Sequence, residues 1–65
     1  MKIDSEYIKL DSFLKAVYAV SSGGEAKLII GDGQVLVNGD MEQRRGRKLY
    51  PGDRVNIMGK EFVVE

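Results

Sequence analysis

Cysteine and histidine are both missing from the 65 residues of this chain. Without cysteine there is no disulfide, no thiol nucleophile, no iron–sulfur cluster and no thiolate zinc site. Without histidine the commonest general base and a leading transition-metal ligand are gone as well. Neither a Ser-His-Asp nor a Cys-His arrangement can be assembled, and a metal would have only oxygen ligands. Long hydrophobic runs are also lacking. Stretches such as Val17-Tyr18-Ala19-Val20 and Leu28-Ile29-Ile30 fall far short of the roughly 20 residues of a membrane span. The opening Met1-Lys2-Ile3-Asp4-Ser5-Glu6 does not have the basic-then-apolar order of a secretory signal. These absences lead us to expect a soluble cytoplasmic protein, one domain, with no membrane association, no cofactor and no catalytic residues.

An excess of one charge sign is missing too, since ten basic residues balance ten acidic ones. Their distribution is uneven. Residues 43–50 carry Arg44, Arg45, Arg47 and Lys48 and no acid, which leaves six basic and ten acidic residues elsewhere, net minus four. A neutral total thus hides a basic patch on a mildly acidic body. Apolar residues at 43% and charged residues at 31% fit a folded domain rather than a disordered tail.

The apolar pattern divides the chain in two. Leu10, Phe13, Leu14, Val17 and Tyr18 follow the spacing i, i+3, i+4, i+7, i+8 of an amphipathic helix, with Asp11 suited to its first turn. Before it, Tyr7-Ile8 can form a short strand. Ser22-Gly23-Gly24-Glu25 reads as a capping box opening a second helix, with Ala26, Ile29 and Ile30 inward and Gly31 and Gly33 ending it. From there the reading is strands. Val35-Leu36-Val37 runs into Asn38-Gly39, a type I′ hairpin signal, and returns through Asp40-Met41-Glu42. Tyr50-Pro51-Gly52-Asp53 is a turn, and Arg54–Met58 alternates at period two. Gly59-Lys60 is expected to make a II′ turn into Glu61–Glu65. The expected fold is α+β: two short helices packed on a small antiparallel β-sheet of about four strands.

The basic run is the leading candidate site. Arg44, Arg45, Arg47 and Lys48 are expected in an exposed connection, where the arginine fork matches phosphate in two-point contact and Tyr50 beside it can stack on a base or sugar. The competing reading is a solvated loop kept soluble by its charge. The start of the second helix could hold an anion with help from Lys27, but capping already explains Ser22 and Glu25. Gly31, Gly33 and Gly39 do not open a helix after a strand, so they are not a nucleotide fingerprint. Asp40 with Glu42, or Asp32 with Asp53, could gather oxygen ligands, but turn chemistry accounts for Asp32, Asp40 and Asp53. Phe13, Tyr18 and Phe62 are assigned to the core, and Tyr7 is left open.

The order of these signals resembles the S4 RNA-binding domain. It is carried by Leu10-Asp11-x-Phe13-Leu14, Ser22-x-x-Glu25-Ala26-Lys27-x-Ile29, Gly33-x-Val35-x-Val37-Asn38-Gly39 and Pro51-Gly52-Asp53-x-Val55. Ser-Gly-Gly-x-Ala-Lys and Arg-Arg-Gly-Arg-Lys-Leu further resemble small stand-alone bacterial members of the YaaA and YbcJ type. The resemblance implies a non-catalytic binder of structured RNA, expected to be ribosomal, with ribosomal particles as possible partners and the chain a monomer. Carried over by position, Lys9 and Lys15 on the first helix and Lys27 on the second face phosphates, and residues 44–48 extend that surface. Gly23-Gly24 stands where many members carry arginine. A reading from another class is a protein-interaction module that pairs through the open strand Phe62-Val63-Val64.

Overall fold

The computed structural model describes residues 3–65; Met1 and Lys2, where the amino-terminal segment begins, lie outside them. The first helix, α1 (Leu10–Ala16), forms where the apolar stripe puts Leu10, Phe13 and Leu14 on one side, and all three are fully buried. Its end is a Schellman turn. The Tyr18 N–H donates to the Lys15 carbonyl at 3.1 Å, and the Ala19 N–H donates to the Leu14 carbonyl at 2.9 Å. This geometry requires a left-handed residue, and Tyr18 takes it with φ 60°. Tyr18 is therefore 92% exposed instead of joining the core, because the helix stops before it and the turn throws its side chain outward.

The second helix, α2 (Gly23–Gly31), begins at Ser22, whose Oγ accepts from the Glu25 N–H at 3.2 Å. The Glu25 carboxylate reaches back to the Ser21 N–H at 2.9 Å. Ala26 and Ile30 are buried and Ile29 is half-buried. Gly31 is the last helical residue rather than a terminator. Gly33 supplies the same Schellman turn seen in α1, with φ 76°. A Cβ there would sit 2.5 Å from the Met41 sulfur, so the exposed Met41 side chain would have to shift, and the left-handed backbone is what favours glycine.

The strands β2 (Val35–Val37), β3 (Asp40–Met41), β5 (Arg54–Ile57) and β6 (Lys60–Val63) form an antiparallel sheet in the order β3-β2-β5-β6. Its inward residues Val35, Val37, Val55 and Ile57 meet the buried faces of α1 and α2, and Phe13 touches Phe62 edge-on at 6.5 Å. The Asn38-Gly39 turn has both residues at positive φ, 52° and 89°, as a I′ hairpin requires. In the Pro51-Gly52 turn the Asp53 N–H donates to the Tyr50 carbonyl at 3.0 Å, with Gly52 at φ 100°. The last hairpin differs from the expected II′ turn. Met58 (φ 50°) and Gly59 (φ 84°) are its central residues, again I′, and Lys60 already belongs to β6. The I′ twist matches that of the strands closely enough to hold a methionine in the left-handed region.

A second, smaller sheet was not legible as a pairing. The strands β1 (Ile8–Lys9) and β4 (Lys48–Leu49) run antiparallel, with Ile8 opposite Leu49 and Lys9 opposite Lys48. Lys48 is therefore in a strand and not in the connection, and Lys9 precedes α1 instead of lying on it.

Candidate nucleic-acid interface

Beyond β3 the chain turns sharply at Glu42, whose N–H still donates to the Val35 carbonyl at 3.0 Å. Glu42 is a buried charged side chain, 6% exposed, and the basic run closes around it. Arg44 holds the carboxylate through Nε and Nη2, both at 3.1 Å, and Arg47 adds Nη1 at 2.8 Å. The N–H groups of Gln43 and Arg44 donate to the same carboxylate at 3.1 Å each. Five donors on one carboxylate favour its charged form, and the Arg44 and Arg47 hydrogen bonds hold its pKa at about 2, against an ordinary 4.5. Burial works in the opposite direction but is outweighed. The run is thus a fixed turn wound on an acid, and the Arg44 side chain remains 76% exposed while clamped.

The turn is also tied to both helices. No side chain caps the amino end of α1. Instead the Leu10 N–H donates to the Arg47 carbonyl at 2.8 Å and the Asp11 N–H to the Arg45 carbonyl at 3.1 Å. On the other side, Gln43 Nε2 donates to the Gly31 carbonyl at the end of α2, at 3.1 Å. These bonds satisfy amides and a carbonyl that helix ends leave without partners. Arg44, Gly46, Arg47 and Lys48 line one shallow depression on this turn.

The expected residues fall into two groups. Lys9 and Lys48 face each other across the β1–β4 ribbon, adjoining the arginine turn. Tyr50 follows β4 directly, and its N–H is fixed by Asp53 Oδ2 at 2.8 Å. Arg45 is exposed and forms no ion pair with a described residue. Lys15, by contrast, is in the last turn of α1, at the end away from the basic turn, and Lys27 is exposed on α2. Neither is tied to the arginine turn by any hydrogen bond or ion pair. Among the described residues, no group of three or more acidic side chains is gathered to hold a metal ion.

A family model described as "S4 domain" matches residues 1–65. The chain belongs to the S4 domain family. Two curated relatives are of similar size to this S4 domain. "Probable ribosome maturation protein RlbA" of Bacillus subtilis (strain 168) is 49% identical over 91% of this chain and 83% of its own length. "Putative RNA-binding protein YbcJ" of Escherichia coli (strain K12) is 34% identical over 89% of this chain and 83% of its own. An "Uncharacterized RNA pseudouridine synthase" of Aquifex aeolicus (strain VF5) is 37% identical over 83% of this chain but only 17% of that protein. That last likeness extends over the S4 domain alone, so it brings no synthase chemistry with it.

Two residues of this S4 domain that matter for the surface lay outside the expected set. Glu42 had a readable signal, a lone acid two and five residues before arginines, but an acid beside a basic run reads equally well as a solubilising charge. Tyr7 had none. Only the β1–β4 pairing brings it within 6.1 Å of Tyr50, ring centre to ring centre, and places Lys48 Nζ 4.8 Å from its own ring centre.

Proposed function

We propose that this S4 domain binds structured RNA without catalysing a reaction, that its target is ribosomal RNA, and that it serves ribosome maturation. The observation that carries this reading is the arginine turn. Arg44 and Arg47 are held in place by Glu42, so these two cations are ordered before any ligand arrives, and Lys48 and Arg45, which has no ion pair among the described residues, stand beside them. Pre-ordered guanidinium groups lose less freedom on binding than a flexible basic tail. The names of the two full-length relatives support RNA and the ribosome as the setting. Lys9, Lys15 and Lys27 extend the surface, and A-form RNA would be met through backbone phosphates and shape, since its deep major groove excludes side chains.

A salt titration against a ribosomal RNA fragment and against duplex DNA of equal length tests this. Affinity for the RNA falls with salt at a log–log slope near −0.7 to −0.9 per neutralised phosphate. Changing Arg44, Arg45, Arg47 and Lys48 together to alanine lowers that slope by about 3 and the affinity by on the order of 100-fold. The Arg45→Ala/Lys48→Ala double variant leaves the Glu42 clamp intact and gives about half the loss of slope. Binding that ignores salt, or that survives both variants unchanged, would overturn the proposal.

A further inference from the structure

The outer face of the β1–β4 ribbon combines two tyrosines with two lysines. Side chains alternate across a strand, so Ile8 and Leu49, directly opposite each other, both point inward. Leu49 is fully buried and Ile8 packs against the core. The residues flanking them, Tyr7, Lys9, Lys48 and Tyr50, therefore share the other face. No acid is among them. Lys9 and Lys48 stand in direct register, a like-charge pair that destabilises a strand pairing, and neither forms an ion pair with a described residue. The two tyrosine rings meet at 6.1 Å and 51°, so Tyr7 backs Tyr50 in a tilted contact. Lys48 lies against the Tyr7 ring, which leaves Tyr50 as the open platform, 44% exposed.

The parts are ordered by the fold rather than free in solution. Tyr50 is anchored through its own N–H to Asp53 Oδ2, and Asp53 is itself held by the Asn38 amide at 3.1 Å. The ribbon cannot slide, because the amides that follow β1 are bound to carbonyls of the turn that precedes β4. An exposed aromatic ring sharing a ribbon face with two lysines that have no ion pair among the described residues matches one ligand chemistry closely. A nucleobase lies on the ring, and the phosphates on either side of that nucleotide take the two lysines. A base inside a duplex has no free face to offer, so the match is to an unpaired nucleotide.

We infer that the Tyr7–Lys9–Lys48–Tyr50 face is a stacking site for one unpaired nucleotide of the bound RNA, with Tyr50 as platform. This rests on the RNA-binding reading and deepens it: the arginine turn holds phosphates of any structured RNA, while the ribbon selects RNA that has a bulged or looped-out base next to a helix.

The test uses the full chain with two RNAs, a blunt duplex and the same duplex with one bulged fluorescent adenine analogue. Wild-type protein binds the bulged RNA roughly tenfold more tightly and quenches the analogue. Tyr50→Ala removes both the preference and the quenching, lowering affinity for the bulged RNA far more than for the blunt duplex; Tyr50→Phe, which keeps the ring, retains both. With no tryptophan and only three tyrosines in the chain, the tyrosine emission of wild type also falls on binding the bulged RNA. Tyr18→Ala, at the far end of α1, leaves the preference unchanged. Equal affinity of wild type for the two RNAs overturns the stacking site and spares the arginine turn. So does an equal loss on both RNAs in Tyr50→Ala. Failure of wild type to bind either RNA overturns both readings.

Discussion

The two ends of α1 are built in opposite ways. At the amino end nothing local closes the helix, because Lys9 offers no capping side chain. Closure comes from thirty-odd residues away, through the carbonyls of Arg45 and Arg47. At the carboxyl end closure is wholly local, a Schellman turn whose left-handed position is filled by Tyr18 at the expense of backbone strain. The first end gathers the arginine turn, the β1–β4 ribbon and most of the surface cations. The second carries Lys15 and an exposed ring. The difference shows that the charge-dense end depends on tertiary contacts around one carboxylate, whereas the other end depends on a few neighbouring residues and can be edited singly.

The strongest way to break the comparison is to remove that carboxylate. Glu42→Ala leaves Arg44 and Arg47 without their shared acceptor and frees the turn that caps α1. RNA affinity should fall about tenfold although net positive charge rises, and the melting temperature should drop by roughly 5 °C. A variant that binds RNA more tightly would show that bulk charge, not the ordered turn, controls binding. Protonation should reproduce the stability loss in milder form. The Glu42 pKa is depressed in the folded chain, so its contribution is complete above its ordinary 4.5 and is lost as pH falls through about 2. Acid unfolding followed by circular dichroism should show a component in that window which Glu42→Gln lacks. Identical acid transitions in the two proteins would count against the clamp.

What the sequence made legible follows the range of the interactions. Both helices, the Asn38-Gly39 hairpin and the Pro51-Gly52 turn rest on neighbours within a few positions and are found in place, although α1 stops short of Tyr18 and α2 runs through Gly31. Three features escaped. The β1–β4 ribbon is two residues per strand, too short for alternation to register, and it is held by contacts distant in sequence: Ile8 and Leu49 reach the core, and the amides after β1 bind the turn before β4. Met58 and Tyr18 accept positive φ, which composition assigns to glycine or asparagine, because the twist of a hairpin and the hydrogen bonds of a helix end fix the backbone regardless of side chain. The arginine turn was visible as charge, but its fixed shape was not, since the acid that winds it gives no pattern of its own.

The local end of α1 supplies the smaller effects. Tyr18→Gly relieves a left-handed tyrosine and should stabilise the fold by about 1 kcal/mol. Gly33, at the matching position of α2, resists the reverse exchange: Gly33→Ala puts a Cβ on a backbone at φ 76°, makes the Met41 side chain shift, and should destabilise. Thermal unfolding of the two variants, moving in opposite directions, would confirm that identical turns are held by different means. Lys15→Ala is the mildest change. Lys15 is exposed and unpaired among the described residues, so the melting temperature should barely move. If the RNA runs along α1 from the arginine turn, one phosphate contact is lost. The salt slope then shrinks by about 0.7 to 0.9 and affinity falls a few-fold at low salt. An unchanged slope would confine the interface to the amino end of α1, with the arginine turn and the ribbon as its whole extent.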